Sequence, residues 1–200
     1  MSDTVTLPPA VEEDRRVREM ALHMGRIIEI LGLDRSDPNL VGTPERVAKM
    51  YLELFSGITE GAEPTVTFFP NDERYTSMVM EKDIPFYSLC AHHFVPFYGH
   101  AHIAYVPNDK IVGLSKMPRI LEFYARRPQL QERLTEQVAT YLARKLDPQG
   151  VMVVVEARHL CVEMRGVKKA GAQTVTSAIR GIFHNKPVRE EFLDLLNRRA

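Results

Sequence analysis

Val151-Met152-Val153-Val154-Val155-Glu156-Ala157-Arg158-His159-Leu160-Cys161-Val162-Glu163-Met164 opens as a β-branched run and ends in alternating polar and apolar positions. That texture predicts a strand over 151–164, with a partner over 174–183. Strand side chains alternate faces, so His159, Cys161, Glu163 and Arg165 are expected on one side and Arg158, Leu160, Val162 and Met164 on the other. Working back toward the N-terminus, Ser115 is placed to cap a helix carrying Lys116, Arg119, Ile120 and Phe123. Pro128 is placed to start a second helix, whose stripe Leu130, Leu134, Val138, Leu142 and Leu146 reads as core. Before these come β-branched and aromatic stretches broken by Pro and Gly, at 65–69, 76–80 and 97–106, the last ending in a Pro107-Asn108-Asp109 turn. Strands, then two helices, then strands predict an α+β domain with helices on one face of an antiparallel sheet.

Outside this region the chain is mostly helical. Apolar residues recur at helical spacing over 11–31 and stop at Gly32, Thr43-Pro44 opens a second helix that runs to Gly57, and a last short helix is expected over 188–198. The expected organisation is a loose tail over 1–10, a helical region over 11–60, and a domain over 61–200 with helices at about 115–146 between its strands.

Hydrophobic residues make up 44% of the chain, which rules out general disorder. Lys plus Arg and Asp plus Glu both total 26, so the molecule has no overall pull toward nucleic acid or an anionic membrane, and neither is expected as a partner. Any anion site must be local. With no signal-like leader and no membrane-length apolar run, a reducing cytoplasmic location is expected, which favours free thiols over a disulfide.

Both cysteines sit among histidines, in Cys90-Ala91-His92-His93 and His159-Leu160-Cys161. Cys90 and His93 have the C-x-x-H spacing that clips a zinc ion, and Cys161 would add a third ligand. Three protein ligands leave a fourth position open for a water whose pKa is pulled toward neutrality, with His92 and His159 beside it. Structural zinc with His92 or His159 as fourth ligand is the alternative, and cysteines are also common as small buried hydrophobes. His100 and His102 share a strand face, but no third ligand is near them in sequence. Lys116 and Arg119 fall in the first turn of their helix, where cations are not normally placed, and so suggest a bound phosphate. Gln131 and Glu132 also lie in a first turn, where an acid is ordinary helix chemistry. Arg165, ~13 Å from Cys161 along an extended strand, is either a surface residue or a contact for the far end of a long substrate.

Taken together, Cys90-x-His92-His93-Phe94, Gly113-Leu114-Ser115-Lys116, Arg126-Arg127-Pro128-Gln129-x-Gln131-Glu132-Arg133-Leu134 and His159-x-Cys161-x-x-x-Arg165-Gly166 resemble the GTP cyclohydrolase I family in order and spacing. The likeness extends from Thr43-Pro44-Glu45-Arg46 to Glu190-Glu191-Phe192-Leu193. It implies a tunnelling fold whose sheets join into barrels, a homodecamer of two pentamers with active sites between subunits, and GTP as substrate. It also implies Zn2+ on Cys90, His93 and Cys161, with water adding to C8 of guanine. His92 and His159 would be the proton-transfer residues, and Gln131 with Glu132 the guanine-recognition pair. Lys116, Arg119, Arg165 and, from another subunit, Arg46 would cradle the triphosphate, with Ser115 beside the ribose. The products would be formate and 7,8-dihydroneopterin triphosphate, the entry to folate and biopterin synthesis. Two departures stand out: Ala91 occupies a usual Glu position, and Ala170-Gly171-Ala172-Gln173 replaces a more polar stretch. Competing readings are another pterin or deazapurine enzyme on the same fold, which would not need the Cys90, His93 and Cys161 set, and a regulatory module that binds nucleotide without turnover.

Overall fold

The computed structural model describes residues 9–59 and 61–198, with side chains from residue 12 onward. The tail expected over 1–10 lies outside the described residues apart from its last two positions, which open the first helix. The chain forms two compact units, divided between Phe55 and Ser56.

The first unit is a helix pair, α1 (Pro9–Ile30) and α2 (Thr43–Leu54). Pro44 sits in the first turn of α2, where its missing N–H costs nothing, as expected. Thr43, however, is not a side-chain cap: Gly42 holds the N-cap position, and the Thr43 hydroxyl accepts from Arg46 Nη2 at 3.0 Å. Leu22, Ile30, Leu31 and Val41 stay exposed.

The second unit is built on a five-stranded sheet of β2 (Val79–Cys90), β3 (Pro96–Val106), β5 (Pro128–Gln129), β6 (Gly150–His159) and β7 (Gln173–Gly181), in the order β5-β2-β3-β6-β7. All pairings are antiparallel except the two-residue β2–β5 contact. A separate small ribbon pairs β1 (Phe68–Pro70) with β4 (Lys110–Val112). The helices are α3 (Lys116–Ala125), α4 (Gln131–Leu146), α5 (Leu160–Glu163) and α6 (Lys186–Asn197).

Strand alternation divides the core. Ala101, Ile103, Tyr105, Val151, Val153 and Val155 point to one face, where they meet Met117, Ile120 and Leu121 of α3 and Leu134, Val138, Leu142 and Leu146 of α4. The Leu/Val stripe is therefore core, as its spacing predicts. Ala104, Val106, Met152 and Val154 point the other way and pack with Phe183 and with Phe192 of α6. The helices are thus not confined to one face, because α6 covers one end of the second.

Three expectations about boundaries fail for identifiable reasons. Pro128 does not start α4. It pairs with Leu89 in β5, and the helix begins at Gln131 after an extended Leu130. The strand near 76–80 runs on to Cys90, across a bulge between Glu81 and Ile84 that breaks the period-2 signal. The strand expected over 151–164 stops at His159. β7 pairing ends at Arg158↔Gln173, and the β3 position after Phe97↔His159 is Pro96, which has no N–H to donate. The chain satisfies its backbone groups by turning into α5 instead, where Met164 N–H reaches Leu160 O at 3.0 Å.

Candidate active site

Antiparallel order brings the end of β2, the start of β3 and the end of β6 to one end of the sheet, so Cys90, Phe97 and His159 are neighbours there. β2 and β3 are joined by a tight hairpin loop. Cys90 N–H donates to Val95 O at 3.0 Å, and Cys90 O accepts from Phe94 N–H at 2.8 Å, with Phe94 in the left-handed region at φ 52°. Ala91 N–H is held by Gln129 O at 2.9 Å, which ties the loop to β5. This closure folds His92 and His93 back over the buried Cys90. Cys90 Sγ lies 3.7 Å from His92 Nδ1 and 3.9 Å from His93 Nδ1.

The donor atoms of Cys90, His92 and His93 all lie within 4.8 Å of one another, a grouping that can hold a metal ion. Sulfur and nitrogen ligands on one tetrahedral zinc are separated by about 3.5 Å, given Zn–S and Zn–N bonds of about 2.3 and 2.0 Å. The donor set therefore fits zinc in both softness and spacing. The turn into α5 brings the Cys161 thiol against Cys90. Burial first, then the neighbouring Cys90, pushes the Cys161 thiol above its ordinary pKa. Both cysteines are free.

Because the strand breaks at His159, the alternation expected beyond it does not hold. Glu163 turns back to form a bidentate pair with Arg158 (2.8 Å to Nε), and that guanidinium holds its carboxyl below the usual range. Arg165 does not extend toward a distant subsite. Its Nη1 lies 3.2 Å from His93 Nε2, over the metal-capable hairpin.

His159 is held by two contacts. Its ring stacks on Phe97 with centroids 4.7 Å apart and planes 1° from parallel, and its Nε2 lies 2.7 Å from Gln131 Oε1. Burial lowers its pKa, opposed by the carboxylates of Glu132 and Glu163. Gln131 is only 1% exposed, and its amide nitrogen reaches Val155 O and Thr174 O, both at 2.9 Å. Glu132, next on α4, is exposed.

Ser115, Lys116 and Arg119 are not brought to this cluster within one chain. The far end of α3 lies by the cluster, where Ser88 Oγ donates to Ala125 O at 2.7 Å. Arg119, near the other end, lines a surface pocket with Glu81, Lys82, Ile84 and Pro85. Pro85 precedes Cys90 on β2 by roughly 16 Å at the usual strand rise. Lys116 Nζ reaches Thr65 O at 3.3 Å, and Ser115 makes no side-chain cap. Arg46 belongs to the first unit, where it donates to Asn39 O at 3.2 Å as well as to Thr43. Sequence reasoning missed Phe97 and Thr176. Phe97 opens a predicted strand, but only the register opposite His159 shows what its ring does.

Among the described residues, His100 and His102 do not gather a third ligand. His100 is exposed, whereas His102 is buried with its Nδ1 accepting from Asp83 N–H at 3.1 Å in the β2 bulge.

The family description GTP cyclohydrolase I matches residues 20–197. A GTP cyclohydrolase 1 from Campylobacter jejuni is 52% identical over 172 residues, covering 86% of this chain and 90% of that protein. One from a Geobacillus species is 54% identical over 173 residues, covering 85% and 91%. One from Streptococcus thermophilus is 49% identical over 186 residues, covering 92% and 98%. Among the described residues, no helix is long and apolar enough to cross a membrane.

Proposed function

The chain belongs to the GTP cyclohydrolase I family, and from that premise we propose that it hydrolyses GTP to formate and 7,8-dihydroneopterin triphosphate at the Cys90, His93, Cys161 and His159 end of its sheet. The observation that carries this reading is the match over residues 20–197 together with a Cys/His cluster spaced for zinc.

Cys90, His93 and Cys161 would hold the metal, leaving His92 and His159 for proton transfer. Zinc, when bound, supplies the Lewis acidity that makes a water nucleophilic near neutral pH. Glu132, exposed at the start of α4, accepts from N1–H and the exocyclic amine of guanine. Adenine lacks that donor pair and would leave the carboxylate unpaired, which disfavours ATP. His159, kept neutral by burial, takes or returns protons as the imidazole ring of the base opens. Its stacked contact with Phe97 fixes the ring plane, which keeps the proton-transfer distance constant.

Lys116, Arg119, Arg165 and, from another subunit, Arg46 would form the triphosphate cradle, with Ser115 by the ribose. Lys116 and Arg119 are roughly a strand's length from Cys90 in the same chain, which supports a site completed by a neighbouring subunit. Residues 79–88 of β2 and the outer side of β7 are unpaired sheet edges among the described residues, and edges of that length invite pairing with a second copy. Barrel closure of a tunnelling fold and a homodecamer of two pentamers follow from this reading. Residues 61–200 are then the catalytic domain, 11–60 the helical region, and the cytoplasm the working compartment.

Zinc-loaded protein given GTP should release formate and a pterin that fluoresces on oxidation, both abolished by chelation. GTP binding without formate would instead favour a regulatory module.

A further inference from the structure

Gln131 stands where a guanine contact is expected, yet its side chain is 1% exposed and already engaged. Its amide nitrogen is within reach of three acceptors, Val155 O at 2.9 Å, Thr174 O at 2.9 Å and Thr176 Oγ1 at 3.2 Å. The Thr176 hydroxyl is in turn 2.7 Å from Thr135 Oγ1. An amide NH2 has two hydrogens to give, and two backbone carbonyls can only accept. Flipping the amide would set its oxygen against both carbonyls, so Oε1 must face His159. Oε1 cannot donate, and the 2.7 Å contact therefore requires the proton on His159 Nε2.

We infer that Gln131 is a positioning residue for His159, not a contact to guanine: its Oε1 fixes which edge of the stacked ring it faces and selects the Nε2–H tautomer. The inference rests on the proton-transfer role proposed above for His159. Phe97 sets the ring plane, but a half-turn about the ring axis preserves stacking and exchanges the two edges. Only the Gln131 contact distinguishes them. The β-sheet supplies the rigidity: Val155 and Thr174 lie on paired strands two register positions apart, so the two acceptors that orient the amide cannot move independently.

The test separates this role from recognition of the base. Solid-state 15N NMR of metal-free, histidine-labelled protein, with His159 assigned by difference against His159→Asn, should show Nε2 protonated and Nδ1 bare. A proton on Nδ1 overturns the inference, and this measurement needs neither a folded variant nor turnover. For Gln131→Leu, turnover at saturating GTP should fall about 100-fold, while GTP affinity of the metal-free protein changes less than about threefold. Gln131→Glu keeps an acceptor for Nε2–H but sets a second oxygen against Val155 O and Thr174 O, so it should not recover that loss. Weakened GTP binding with normal turnover at saturation would make Gln131 a guanine contact and overturn the inference. If the wild-type protein makes no formate, the proposed function fails, and the tautomer measurement still decides what Gln131 does.

Discussion

Replacing Gly99 with alanine tests whether the β3–β6 ladder positions the site. Gly99 pairs with Ala157, two residues along β3 from Phe97. A Cβ there would lie 1.9 Å from Glu156 O and 2.8 Å from Ala157 Cα, whereas ordinary contact begins at 3.4 Å. Backbone cannot rotate aside as a side chain does. β6 must therefore withdraw by about 1.5 Å, a large part of the usual strand spacing of about 4.8 Å. Two or three ladder hydrogen bonds at about 1 kcal/mol each, plus strain, give a cost of about 3–5 kcal/mol. That is a large share of a typical stability of about 5–15 kcal/mol. The same shift carries His159 away from Phe97 and Gln131, so formate release should fall with stability. Urea unfolding followed by circular dichroism, at fixed protein and zinc concentration because anything that binds only the folded chain raises its apparent stability, measures the effect. Gly113→Ala is the control: its Cβ would meet nothing closer than Phe69 Cε2 at 3.7 Å, so its cost should stay below about 0.5 kcal/mol. Equal stability of the two variants would refute the reasoning.

Cys161→Ala should lose zinc by metal analysis while His92→Ala retains it; zinc loss in His92→Ala would make His92 a ligand, as its 3.7 Å approach to Cys90 allows. His159→Ala should bind zinc and GTP yet release formate at least about 100-fold more slowly, and near-normal release would remove it from proton transfer. Glu132→Gln should weaken GTP binding about tenfold or more in equilibrium titration; unchanged affinity would sink its guanine role. Burial holds the His102 pKa below 6.5, with Asp83 and Glu156 opposing. Between the two pKa values the unfolded chain binds a proton that the folded chain does not, so stability falls as pH drops below about 6.5. His102→Leu should flatten that acid-side slope in urea titrations between about pH 7 and 5.5, and an unchanged slope would assign it elsewhere.

The legible parts of this chain were the local ones. The Cys90-x-His92-His93 spacing is set by a single hairpin, so its metal-binding character can be read without knowing where the hairpin sits. The α4 stripe is core because helical period alone decides which side Leu134, Val138 and Leu142 share. Where an element ended depended on its neighbours. Nothing in 151–164 marks His159 as the last strand residue, since that stop comes from Pro96 on β3 and from the end of β7 pairing. The misplaced stop had consequences, because alternation on a continued strand sends Arg165 away from Cys90, whereas the turn into α5 lays it on His93. Gln131 shows the same limit. Its place in the first turn of a helix was legible, but the carbonyls of Val155 and Thr174 that engage its amide come from two later strands. The sequence by itself determined the family resemblance of its motifs, most of the helices and strands, and the donor chemistry, because motif spacing and side-chain period are local properties of a chain. Only the tertiary structure decided which donors face one another and which polar groups are already engaged, because those depend on strand order and register, and residues far apart in sequence set both.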